Sequence, residues 1–180
     1  MSRLPLVDPS QAQGKTHDLL ETVKARMGRV PNLMKAMANS PAVLEGYLGL
    51  SGALGQGTLD PKIRERIAIG SAESNGCGYC LAAHSLTGKL AGLDGEERLA
   101  NRRGHSHDPR ADAALKFART LLERRGHVTE ADVQEVKAAG FGDGEVAEII
   151  AHVALNVLTN YFNNSVETPI DFPAVAPLTA

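Results

Sequence analysis

The run Asp60–Ala91, DPKIRERIAIGSAESNGCGYCLAAHSLTGKLA, decides how the rest of the chain is read. Asp60-Pro61 sets a capping carboxylate before a proline whose missing N–H costs nothing in a first helical turn. Asn75-Gly76 reads as a turn. The spacing therefore predicts two successive helices, over 61–74 and 77–91, and nothing in the run alternates with the period of two that a strand requires. At 100° per residue, Cys77, Cys80 and His84 fall within about 60° of one another on the second helix. Gly88 and Ala91 continue that face with small side chains that leave room beside the sulfurs. Tyr79, Leu86 and Leu90 make a bulkier opposite face that reads as core.

The same punctuation recurs on both sides of this run. Ser40-Pro41 and Asp108-Pro109 repeat the cap-plus-proline start, Thr129 with Asp132 resembles a capping box, and Asp143 is placed to cap a last long helix. Gly28, Gly92, Gly126 and Gly140 suit helix C-terminal stops. Helices are expected near 16–27, 32–38, 41–55, 61–74, 77–91, 95–103, 109–125, 130–138 and 144–163, with essentially no sheet. Residues 164–180 read as a tail lying across a neighbour. At 180 residues, with no internal repeat, the expectation is a single all-α domain, a helical bundle spanning 1–180.

Bulk properties exclude several function classes. A net charge of -2 offers no electrostatic footprint for nucleic acid or an anionic membrane. Met1–Gln11 has no apolar core of a signal peptide, so a cytoplasmic protein is expected. The longest charge-free stretch, Ile149 to Val166, carries His152, Asn156, Asn160, Asn163 and Asn164, which suits a buried helix and not a membrane span. Two cysteines three residues apart in a cytosolic chain are not a disulfide framework. The pair is either catalytic or metal-binding.

Thiol acidity gives the pair a chemical use. A free thiol has a pKa near 8.5 and is mostly protonated at neutral pH. A helix N-terminus favours the thiolate, and His84, at i+4 from Cys80, can take its proton. Cys77, at i−3, can then close a disulfide on an oxidised Cys80. Glu65 shares a face of its helix with Ala68, Ile69 and Ala72, an apolar setting in which a carboxylate needs a partner. Orienting a histidine and stabilising its cation is one such use.

Other readings stand beside these. The cysteines could be structural, or Cys77, Cys80 and His84 could hold zinc with Glu65 as a fourth ligand. Glu65 could form a surface ion pair with Lys62, Arg64 or Arg66, and Glu73 is a further acid to consider near the site. Tyr79 serves as core or as pocket. His152, Asn156, Asn160 and Asn163 make a stripe that either pairs across a subunit interface or lines the thiol pocket.

Glu65, Cys77 twelve residues on, the CxxC pair, and His84 after three intervening residues together resemble the AhpD-like alkylhydroperoxidases of the wider carboxymuconolactone decarboxylase family. The likeness is strongest over about 58–92. Ala151–Asn156 and Asn160–Asn163 look like the peroxidase-related members. The resemblance implies an AhpD-like helical bundle with its helix-bearing CxxC in the core, a motif core of about 58–125, and assembly into a homo-oligomer, a trimer or hexamer. It implies reduction of organic hydroperoxides or peroxide by a Cys77/Cys80 dithiol–disulfide cycle, reset by a protein or small-thiol reductant, without cofactor or metal. By position Cys80 would meet the peroxide, Cys77 would resolve it and be exposed to the reductant, and Glu65 with His84 would relay the proton. This chain departs from the best-known peroxidase members in carrying Tyr79 where they have a histidine between the cysteines. The CxxC pair argues against the decarboxylase branch. The remaining alternatives are a general disulfide oxidoreductase, a zinc-binding protein, and a decarboxylase or isomerase using His84 or His152.

Overall fold

A computed structural model describes residues 2–178, and among them lie nine helices and no strand. These are α1 (Gly14–Met27), α2 (Asn32–Met37), α3 (Pro41–Gly55), α4 (Pro61–Ser74), α5 (Gly78–Leu90), α6 (Gly95–Arg102), α7 (Pro109–Glu123), α8 (Glu130–Ala138) and α9 (Asp143–Val166). The all-helical expectation is met, and most boundaries fall within a residue or two of the cap signals.

Short-range chemistry accounts for those boundaries. Asp60 accepts from the Lys62 amide, Asp108 from Arg110 and Ala111, and Asp94 from Glu97. Thr129 and Asp132 form a reciprocal capping box. Two expected caps differ. Ser40 makes no side-chain cap bond, and Pro41 alone, with its preset φ, starts α3. Asp143 lies inside α9, whose N-cap is Gly142, and Glu145 reaches back to the Gly142 amide. Helix α9 also runs three residues past its expected end, because Asn164 donates to the Asn75 carbonyl and anchors the last turn.

Helix α4 is the centre of the packing, touching α5, α6, α7 and α9. Its Ile69 and Ala72 join a core with Leu20, Val23, Leu33, Met34, Met37 and Leu81. Its Ile63 and Ile67 join a second core with Ala114, Phe117, Leu121, Val136 and Ile149. Cys77, Tyr79 and Cys80 belong to the first. A helix buried on nearly all sides fixes its side chains in space.

Helix α5 departs from expectation in two places. Leu90 is 78% exposed, because it sits in the last turn, beyond the helices that cover Tyr79. The space beside Gly88 is taken by α4: a Cβ there would stand 3.2 Å from Ile69 Cδ1 and 3.3 Å from Leu93 Cδ1. That glycine serves helix contact and leaves no extra room at the sulfurs.

Candidate active site

Cys77 caps α5 and its Sγ accepts from the Cys80 amide at 3.3 Å. Both cysteines are free thiols, and both are buried, at 1% and 2% exposure. The expected exposure of Cys77 is therefore corrected. The C-terminal segment lies over the start of α5, with Ile170 Cδ1 3.6 Å from where a Gly78 Cβ would stand.

That segment is tied down by Tyr79. Its hydroxyl accepts from the Leu33 amide at 3.1 Å and donates to Asp171 Oδ1 at 2.8 Å. Asp171 Oδ2 accepts from Arg29 Nη1 at 2.6 Å and from the Asn32 amide at 3.1 Å. Phe172 packs edge-on against the Tyr79 ring, centroids 5.5 Å apart, and lies under the Arg29 guanidinium. The neighbour crossed by the tail is thus the chain's own α2–α5 junction. Burial pushes the Tyr79 phenol well above its ordinary pKa, so it remains a protonated anchor.

The two thiols differ in environment. Asn163 Nδ2 on α9 donates to Cys80 Sγ at 3.2 Å, so this part of the polar stripe faces the thiols. The Cys77 thiol, acting as a donor, has the largest effect on Cys80 and lowers its pKa. Burial opposes this, and Asn163 and the His84 charge reinforce it. The balance holds Cys80 below the usual thiol range. Cys77 is pushed the other way, first by sharing its proton with Cys80 and then by burial. Of the pair, Cys80 is the thiolate.

His84 Nδ1 lies 3.0 Å from Glu65 Oε2, and Thr87 Oγ1 donates to the same oxygen at 2.6 Å. For Glu65, burial is the largest influence and raises the pKa, but the bonds from His84 and Thr87 with the histidine's charge outweigh it, and the net shift is down. For His84, burial lowers the pKa, and the Glu65 hydrogen bond and charge with the Cys80 thiolate overcome it, so the net shift is up. Arg64 does not take Glu65: its Nη1 donates to the carbonyls of Leu54 and Gly55. Arg66 goes to Glu97. Glu73 pairs with Arg102 on α6 and lies away from the thiols.

His84 stands between two cavities. One of about 120 Å3 is lined by Met34, Tyr47, Tyr79, Cys80, His84 and Phe172, and is mostly apolar. The other, about 330 Å3, is lined by Arg64, Glu65, His84, His152 and Asn156 and is more polar. Asn156 Nδ2 donates to the His152 carbonyl at 2.8 Å, and the His152 Nε2 has no partner. Burial first, and then the Arg64 charge, lower the His152 pKa, so that ring is neutral. Among the described residues no three His, Cys, Asp or Glu side chains converge as a metal-ligand set. Sequence reasoning missed Thr87, Tyr47, Asp171 and Phe172; only the Thr87 spacing, i+3 from His84, offered a local signal.

Residues 41–124 match the model of the carboxymuconolactone decarboxylase family. No curated protein matches the chain in sequence. The structure is similar to that of an alkylhydroperoxidase AhpD core, an uncharacterized peroxidase-related protein from Ralstonia eutropha JMP134, with a TM-score of 0.85 and 24% identity over 94% of this chain and 92% of that one. An uncharacterized peroxidase-related protein from Silicibacter sp. TM1040 gives 0.82 and 24% identity, over 93% and 91%. The debrominase Bmp8, in a cysteine-to-alanine form with 2,3,4-tribromopyrrole, gives 0.76 and 20%, over 95% and 94%. At these identities the likeness establishes the helical fold.

Proposed function

We propose that the chain, whose residues 41–124 match the carboxymuconolactone decarboxylase family and whose fold is that of an AhpD core, is an AhpD-like member of that family and a thiol-dependent peroxidase acting on small organic hydroperoxides. The observation that carries the reading is the line Glu65–His84 beside a thiol pair in which Cys80 is held as thiolate. In the cycle the Cys80 thiolate attacks the terminal peroxide oxygen and the O–O bond breaks. His84, charged and oriented by Glu65, gives its proton to the leaving alkoxide, which departs as the alcohol. Cys80 is left as a sulfenic acid. The Cys77 thiol attacks that sulfur, the S–O bond breaks, and the hydroxide leaves as water with the Cys77 proton, forming the disulfide. A dithiol reductant supplies two electrons and two protons to reset the pair.

Substrate size and polarity follow from the cavity. About 120 Å3 of mostly apolar space beside Cys80 favours a compact apolar peroxide. His152 and Asn156 line the polar cavity on the far side of His84 and are proposed as the route for the proton and the leaving water. Association with further copies is proposed through α3 and α9. Helix α3 buries only Leu44 and exposes Val43 and Leu50, and α9 exposes Ile150, Leu158 and Tyr161. A monomer by light scattering at micromolar concentration would remove that part.

The test of the cycle is direct. Reduced protein freed of reductant receives one equivalent of cumene hydroperoxide, and free thiols and intact mass are followed. Loss of both thiols with loss of two hydrogens, much faster than a free dithiol reacts, is expected. Cys80→Ser should abolish it and Cys77→Ser should stop at the sulfenic acid. Turnover retained in Cys80→Ser would overturn the assignment.

A further inference from the structure

The dithiol site uses one face of α4. The opposite face, some 140–240° around from Glu65 at 100° per residue, closes with α6 and α7 around another cavity of about 200 Å3 that the peroxidase cycle leaves without a role. Arg102 is the key side chain there. It is only 10% exposed, and its Nε donates to Glu73 Oε2 at 2.6 Å. Its Nη2 is buried and has no partner. Ser71, 1% exposed on the same wall, has a hydroxyl with no partner either. Two buried donors lining one cavity without acceptors are costly unless a ligand supplies the oxygens.

Charge and shape narrow the ligand. Arg102, Arg103 and Arg119 line the cavity against one carboxylate, Glu73, so the site favours an anion. A guanidinium presents parallel N–H groups that match a carboxylate. Ile67, Leu115, Ala118 and Leu122 form an apolar wall beside it. Gly70 keeps the wall close: a Cβ there would meet Asn101 O and Leu115 Cδ2, each at 3.3 Å. The volume is below the ~300–1,000 Å3 of pockets for drug-sized ligands.

We propose that this cavity binds a small organic monocarboxylate, its oxygens accepting from Arg102 Nη2 and Ser71 Oγ and its short apolar tail lying on Leu115, Ala118 and Leu122. The site is separate from the dithiol and does not depend on what the dithiol does.

Hexanoate, acetate and inorganic phosphate are the probes, each titrated into the reduced full chain by calorimetry, with methyl NMR of Leu115 and Leu122. Hexanoate should bind about tenfold or more tighter than acetate, since its extra methylenes leave water, and should shift both leucine methyls. Arg102→Gln should weaken it by about tenfold. Ser71→Ala and the paired Arg103→Gln/Arg119→Gln variant, which alters exposed arginines and spares the fold, should each weaken it severalfold. The proposal is read from these last two if Arg102→Gln does not fold. Cys80→Ser should bind hexanoate as the unaltered chain does. The proposal is overturned by an absence of binding at millimolar hexanoate, or by affinity unchanged in all the arginine and serine variants. Phosphate bound as tightly as hexanoate, or binding lost in Cys80→Ser, would also overturn it.

Discussion

Glu65 and Arg66 are adjacent on α4, yet they serve two different buried carboxylate sites. Arg66 reaches Glu97, which is 5% exposed and accepts from Arg66 Nε at 2.7 Å, Asn101 Nδ2 at 3.0 Å, Ser106 Oγ at 2.6 Å and the His107 amide at 3.0 Å. Burial pushes Glu97 up, but those donors together bring it down to about 2. Glu65 itself has two donors, Thr87 and His84, a side chain 23% exposed, and an open cavity beside it. The first carboxylate is saturated and opposed by a cation that cannot lose its proton. The second is paired with a group that can. A saturated buried acid holds the fold together, whereas one left with a titratable partner at a cavity is free to do chemistry.

The largest expected effect would break the comparison from the Glu97 side. Glu97→Ala leaves Arg66 buried without its partner and should cost about 3–5 kcal/mol, while the alkylation pH profile of Cys80 stays where it was. Because the folded pKa of Glu97 is depressed, its contribution is present above the unfolded value, about 4.3, and is lost as pH falls from there towards about 2. Urea melts of both proteins at pH 7 and pH 3 check this. A thiol profile that moved with Glu97 would show that the two sites are coupled.

A smaller effect sharpens the other side. Glu65→Gln removes the charge that raises His84, so the imidazolium is lost at lower pH and Cys80 loses a stabilising cation. The midpoint of Cys80 alkylation, expected below the ordinary ~8.5, should rise by about one unit, a tenfold loss of thiolate at low pH. Stability should change by about 1 kcal/mol or less. Alkylation rates between pH 5 and 9, with intact mass to locate the label, decide it.

The smallest effect concerns cover. The Glu97 node is sealed by α4, α6 and the 103–108 loop, but the start of α5 and the small cavity beside Cys80 are bounded by the tail that Tyr79 and Arg29 hold through Asp171 and Phe172. Phe172→Ala should speed alkylation of the pair severalfold by letting that segment open. Amide exchange in α6 should not change. Equal rates in the two proteins would mean that the alkylating reagent reaches the thiols without moving the tail.

Much of this is legible in the sequence. Asp60, Asp108 and Thr129 announce helix starts because a cap is settled within three residues. Cys80 and His84 share a face because helical spacing alone places i and i+4 together, while Cys77, the extended N-cap of α5, is set beside Cys80 by the bond from the Cys80 amide. Ser40 and Asp143 cap nothing for the same local reason: other groups nearby, Pro41 and Gly142 with Glu145, set those termini first. The buried state of Cys77 was not legible, since Asp171 lies 92 residues from the tyrosine that holds it.

The chain's own spacing thus determined that the protein is helical and that one helix presents a dithiol with a histidine. It also marked Glu65 as an acid in need of a partner. Tertiary structure decided the rest. It chose His84 over Arg64 or Arg66 as that partner, put Asn163 on Cys80, laid the tail over the start of α5, and left Arg102 with an unused donor at a third cavity. Periodicity constrains residues within a turn or two of one another. Pairings between helices depend on which faces bury the most apolar surface against α4, and that is settled only when the whole chain packs.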